Sequence, residues 1–497
     1  MRYRGACLVG GLLLVALGLP AAGEEKPVPE EAVFDLREVS VFDAAGPQSV
    51  TLTRGQYAEC VNEPDKAVKA YPKLKSKKPL YGKVKFGWYP GKNEGIEIHF
   101  ALDESGEPAP DKTEANPREE VKKKEPASSS DKPSEAKPSS YDRLYLDLNR
   151  DLDLTNDVPL RPMKEPPWQS LPRWTVRERQ AFEFVAVDFD YGPGLGIRPF
   201  RIFPWLTVSE DSKYVTMHFV AVAAREGRIE IGKRKYDVLL AQPYIISGRF
   251  DRSPTVLNLT PVGHKELVSS SGFDSEMLST MRRFGGVLYT FATTPTGDKL
   301  IVKPYRGDYG VLEIGPGGRD IKGMSLVGSL RSEATAIEVG SHISLLKTKR
   351  VRVPVGDYVP SHLSIEYGSL RIAISDNYHS DGHSRDRERV PTYGLKIRKD
   401  KPFVLDFSNK PAVLFASPAK GQTVKLGDEV RVAAVLVDPV LDVMIRRLDD
   451  TKQTEKQTYK RPDGKDVSFE RPKSLDPVVA VTDSTGKTIA EGKMPFG

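Results

Sequence analysis

The chain has 497 residues, enough for about three domains at the usual roughly 100–200 residues each, and its 39% hydrophobic content suffices for ordinary cores. Lys+Arg 74 against Asp+Glu 68 leaves a net charge of +6, far from the basic density of a dedicated nucleic-acid binder. With 41 Gly and 39 Pro the chain is interrupted too often for long helices, coiled coils or helical membrane bundles, and short strands joined by turns are expected.

In chain order, the first predicted element is a secretory signal peptide over residues 1–23. Arg2 and Arg4 supply the positive start, 8–19 the short apolar run, and Ala21-Ala22-Gly23 the small-residue cleavage site before Glu24. An uncleaved anchor is the alternative, but the run is short for a membrane span, and no later segment approaches the ~18 consecutive apolar residues of one. The expectation is an exported chain, periplasmic or extracellular, with no transmembrane segment after cleavage. Cys7 precedes the apolar run, where no lipid-modified cysteine belongs. Its removal leaves Cys60 alone, so no internal disulfide can form, and with no histidine near it in sequence Cys60 is expected to be a packed thiol.

Residues 24–265 read as a first β domain. Its start, 56–69, carries a weak helical pattern. The run 66–88 interleaves Lys66, Lys69, Lys73, Lys75, Lys77, Lys78, Lys83 and Lys85 with Tyr71, Tyr81, Phe86 and Trp88, which fits either a solvated face or a grip on an anionic polymer. Strands are predicted at 81–86 and 96–102, and 144–154 also alternates apolar and polar residues. Between them, 103–140 collapses to Glu, Lys, Pro, Ser, Ala and Asp and is expected to be a disordered insertion in a loop. Strands then follow at 182–189, 200–208, 214–223 and 229–246, with Gly232-Lys233 as a hairpin turn. The glycine-rich 191–196 precedes strand-like residues, so it reads as a turn and not as a phosphate cradle.

A second β domain is expected over 266–405, with a short helix at 274–284 (DSEMLSTMRRF) and strands at 287–293, 299–304, 311–314, 334–339, 351–355 and 370–375. The spacing fits sandwiches, and no fixed-period repeat is visible. Arg352-Val353-Pro354-Val355-Gly356-Asp357-Tyr358 resembles the strand and turn of carboxypeptidase-regulatory-like sandwiches. The last segment, 406–497, resembles bacterial immunoglobulin-like domains through FASPAKGQTVKLGDEVRVAAVL at 415–436, with Pro418, Gly421, Gly427 and Asp428 at turns and Val430, Val432 and Ala434 on one face. That resemblance implies further strands at 442–446 and 478–482, and a spacer or binding module without catalytic residues. No closing strand is read after Gly492.

The fold class predicted is therefore all-β, two or three antiparallel sandwich-like domains with one disordered insertion. The sharpest motif is 147–157, where Asp147, Asn149, Asp151, Asp153 and Asp157 place oxygens at alternate positions, as EF-hand-like and dockerin-like calcium loops do at positions 1, 3 and 5. Leu152 replaces the usual turn glycine, and Val158 stands at position 12 with Asp157 one residue early. The other reading is an acidic strand face backed by Leu146, Leu148, Leu152 and Leu154. A second polar cluster, 376–383, holds His379 and His383 beside Asp376 and Asp381. The spacing suits a metal only on a helix, and Gly382 argues for a plain loop. No G-x-S-x-G, H-E-x-x-H, P-loop or C-x-x-C pattern occurs. These features point to a non-catalytic binding or structural protein with calcium as its cofactor. The alternative is a secreted carbohydrate-active hydrolase, which needs only a carboxylate pair that no motif reveals.

Overall fold

A computed structural model of the chain describes residues 30–43, 53–87, 95–106, 137–167, 176–209, 214–252, 254–263, 275–315, 324–332, 336–339, 350–375, 378, 394–406, 409–418, 421–423, 425, 428–460 and 466–494. The predicted signal peptide and 107–136 of the predicted insertion lie outside the described residues, as do Trp88 and all of the 376–383 cluster except Tyr378. The fold is all-β. Among the described residues there is no helix, the sheets are mostly antiparallel, and none closes into a barrel.

In the first half, the long strand Ile197–Val208 pairs on one side with Val215–Ala221 and on the other with Glu178–Ala181 and Val185–Asp190. Gln56–Glu59 extends this sheet at its edge. Alternation of apolar side chains lets it bury both faces. Ile202, Leu206, Met217 and Phe219 join the main core on one face, and Phe203, Trp205, Val220 and Val222 a smaller cluster on the other. Ala223–Ile231 and Arg234–Ala241 form the predicted hairpin around Gly232, whose φ of 66° is the left-handed conformation the turn requires. A separate three-stranded sheet of Leu80–Phe86, Ile96–Asp103 and Arg143–Leu146 carries the acidic motif at its end.

The main cluster contains buried residues from Leu36 to Val302, and a second runs from Met281 to Val443. The second gathers strands such as Arg350–Pro354 and Gly356–Tyr367, where Tyr358 is buried and donates its hydroxyl to the Pro354 carbonyl at 3.1 Å. Further on, Ala412–Ser417, Ala433–Asp438 and Val443–Lys460 pair in succession. Val478–Thr482 pairs with Thr488–Lys493, a strand that the sequence pattern had not supplied.

Three local expectations are corrected. The predicted helix at 274–284 is two strands, Ser275–Met277 and Thr280–Phe284, joined at Leu278 and Ser279. Tertiary pairing with Val256–Pro261 and Val287–Thr293 outweighs the modest helical propensity of so short a run. The weak helical pattern at 56–69 gives the edge strand Gln56–Glu59 followed by turns, because pairing with Val215–Ala221 satisfies its backbone. The alternating run 144–154 is not one strand either. Pairing ends at Leu146, and from Asp147 the chain winds through Arg150 and Leu152, both left-handed with φ of 62° and 65°.

Candidate calcium loop

The strand Arg143–Leu146 delivers Asp147 to its place. Leu146 lies opposite Phe100, and the next backbone N–H, that of Asp147, donates to the His99 carbonyl at 3.0 Å. The pairing carries Asp147 under the loop that follows, so that its side chain is fully buried. One carboxylate oxygen, Oδ2, accepts the Leu152 N–H at 3.2 Å. The other, Oδ1, is buried with no hydrogen-bond partner. A buried carboxylate oxygen left without a donor or cation costs about 1–3 kcal/mol.

The rest of the loop winds around that carboxylate through successive side-chain-to-backbone bonds. Asn149 accepts the Asp151 N–H at 3.0 Å, Asp151 that of Asp153 at 2.8 Å, and Asp153 that of Thr155 at 3.0 Å. Short Asx side chains favour such turns, which is why this sequence leaves the strand where it does. Asn149 and Asn156 also donate to Asp151 Oδ2, at 3.1 and 2.8 Å. The Asn156 amide above all, followed by the Asp153 N–H, holds the Asp151 carboxyl below its ordinary range. Asp157 behaves oppositely. Its Oδ2 is buried without a partner, and desolvation, reinforced by the charges of Asp147 and Asp151, pushes its pKa up to about 6.

Two residues depart from the calcium-loop pattern in sequence, Leu152 and Val158. Leu152 sits at the sixth position in the left-handed conformation that glycine usually supplies there, so the backbone makes the sharp turn despite the side chain. Val158 at the twelfth position is 85% exposed, while Asp157 one residue earlier is half-buried and feels the charges of Asp147, Asp151 and Asp153. Among the described residues, no three His, Cys, Asp or Glu side chains already stand close enough to hold a metal ion.

The other candidates are packed or dispersed. Lys66, Lys69, Lys73, Lys75, Lys77, Lys78 and Lys83 are exposed, but Tyr71, Tyr81 and Phe86 among them pack inward. Phe86 belongs to the main core, and Tyr71 and Tyr81 pack edge-on at 4.9 Å against a small cluster. Lys83 lies between Asp65 and Glu97 at 3.4 and 3.6 Å. Burial pushes the Cys60 thiol up to about 12, which leaves it protonated and unreactive. Backbone groups of Lys69, Ala70 and His99 hold the loop, although the sequence pattern marks Lys69 only as part of the lysine-rich run and Ala70 and His99 not at all. No side-chain signal marks such a role. Comparison with known proteins matches no family model, no curated protein and no solved structure.

Proposed function

We propose that this chain is an exported β protein with a binding or structural role at the cell envelope or outside the cell, stabilised by one calcium ion. Asp147, Asn149, Asp151, Asp153 and Asp157 hold the ion, and the observation that carries this reading is the fully buried Asp147 carboxylate with its unpartnered Oδ1. Export rests on residues 1–23 of the sequence. A non-catalytic role is supported by how the reactive groups are used. Cys60 is kept protonated, His218 is buried and held neutral, and Asp103 accepts the backbone N–H groups of Lys75 and Ser76. The exposed Lys66, Lys73, Lys77 and Lys78 offer a face to an anionic polymer.

The test is a thermal melt of the mature chain in chelator, in millimolar calcium and in millimolar magnesium. Calcium should raise the melting temperature and magnesium should substitute poorly, since it demands a tight octahedral site and keeps its water. Asp147→Asn with Asp151→Asn should remove the response. Equal melts in chelator and calcium would end the calcium reading. Turnover of a polysaccharide by the purified chain would replace the binding or structural reading with that of a hydrolase.

A further inference from the structure

We infer that the calcium loop is a lock on the lysine-rich segment 65–74, holding it against the three-stranded sheet when the ion is bound and releasing it when the ion leaves. This rests on the calcium reading above. Between the strands Gln56–Glu59 and Leu80–Phe86 the chain forms no strand of its own. It is tied at one end by Val61, which exchanges backbone hydrogen bonds with Tyr81 at 2.8 Å each way, and at the other by the bonds from Lys75 and Ser76 to Asp103. Between those ties, the backbone bonds of the described residues to the rest of the protein run to the acidic loop. Lys69 N–H and Ala70 N–H donate to the Leu152 carbonyl at 2.7 and 3.4 Å, and Leu154 N–H donates to the Ala70 carbonyl at 3.0 Å. Lys69 Nζ adds a bond to the Asp151 carbonyl at 2.8 Å.

The division of labour follows the sequence. Asp151 and Asp153 supply side chains to the ion, while the residues alternating with them, Leu152 and Leu154, supply the carbonyl and N–H that grip the segment. Leu154 is fully buried and packs with Val68, Ala101 and Tyr145, so the same alternation also seats the apolar anchor. Without a cation, Asp147, Asp151, Asp153 and Asp157 repel one another across a loop that already holds Arg150 and Leu152 in left-handed conformations. Relaxation of that loop displaces the Leu152 carbonyl and unseats Leu154. The segment then loses its backbone bonds to the loop and keeps only side-chain contacts, the packing of Val68 and Tyr71 and the pairing of Asp65 with Lys83 and His99, so that the peptide bonds at Lys66, Lys69 and Lys73 open to solvent more readily.

Hydrogen–deuterium exchange on the full chain, run beside the calcium melt, tests this. In calcium the amides of Lys69, Ala70 and Leu154 should be protected, and chelation should speed their exchange at least tenfold while the paired amides of Val215–Ala221 stay unchanged. Trypsin should cut at Lys66, Lys69 and Lys73 in chelator and spare them in calcium. Leu154→Ala keeps all five ligating side chains and should leave the segment exchanging fast even in calcium, with the calcium rise in melting temperature retained. Val68→Ala, on the other side of the same contact, should do likewise. If calcium raises the melting temperature but leaves exchange at 69 and 70 unchanged, the lock is wrong and the ion site stands. If calcium changes neither, the ion site fails and the lock with it.

Discussion

Trp205 and His218 face each other across adjacent strands with their rings stacked, centroids 4.5 Å apart and planes 29° from parallel. Thr207 Oγ1 lies 3.0 Å from His218 Nε2, completing a buried polar contact on the second face of the sheet. Burial pushes the imidazole pKa down to about 3.

That depression sets a sign for acid stability. The unfolded histidine takes up a proton near pH 6.5, whereas the folded one stays neutral until about 3, so the unfolded chain binds more protons between those values. The contribution is complete above about pH 6.5 and is lost as pH falls, at up to about 1.4 kcal/mol per unit. His218→Phe keeps a ring against Trp205 but cannot charge. Urea unfolding from pH 7.5 to 5 should show a shallower acid loss in the variant than in the parent, and parallel curves would contradict the assignment.

Leu152 stands at φ 65°, where an L side chain costs about 1–2 kcal/mol and glycine almost nothing. Leu152→Gly should therefore stabilise the chain by about 1 kcal/mol once the extra freedom of the unfolded glycine is subtracted. Calcium affinity should rise as well, because the loop is then relaxed in the conformation that binds. Urea unfolding in chelator checks the first effect and calorimetric titration with calcium the second, and a weaker-binding variant would show that the leucine side chain supports the loop.

Asp157 is repelled by Asp147, Asp151 and Asp153 and is poorly solvated. In chelator, Asp157→Asn should raise stability by roughly 1 kcal/mol through loss of that repulsion. In calcium the ranking should reverse, since the parent gains an ion that the variant binds less well. Melts of the two proteins in both conditions should cross. A variant less stable in both would mean that the carboxylate is needed for packing alone.

Gly82 lies opposite Phe100 in the three-stranded sheet. A Cβ at this position would collide with Phe100 Cζ and fall 2.8 Å from the Glu59 carbonyl oxygen. Phe100 is fully buried against Phe219, and the carbonyl belongs to a paired strand, so neither can withdraw freely. Gly82→Ala should lower stability by about 1–3 kcal/mol, the usual cost of overpacking, as read by urea unfolding.

Much of the strand pattern was legible because alternation with a period of two survives wherever one sheet face is buried. Strands Val287–Thr293, Lys299–Pro304 and Leu370–Ser375 lie where the alternation places them. Alternation misled at 144–154, where acidic and apolar residues repeat at period two both in a strand and in the loop of side-chain-to-backbone turns that follows it. The helix read at 274–284 from its acidic start failed for a different reason, since only the neighbouring strands decide that this run is paired.

By itself the sequence determined the all-β class and the set of oxygen side chains at 147–157, since both follow from residue type and spacing. Only the tertiary structure decided what those oxygens can do. The pairing of Leu146 with Phe100 and the bond from Asp147 to the His99 carbonyl bury one carboxylate beneath the rest. The contact of Leu152 and Leu154 with Lys69 and Ala70 joins residues more than eighty positions apart, and no local pattern encodes a backbone bond over that separation. Desolvation is likewise a property of the assembled fold, which is why the aspartates of one motif diverge, with Asp151 acidified by its amide donors and Asp157 pushed up by burial.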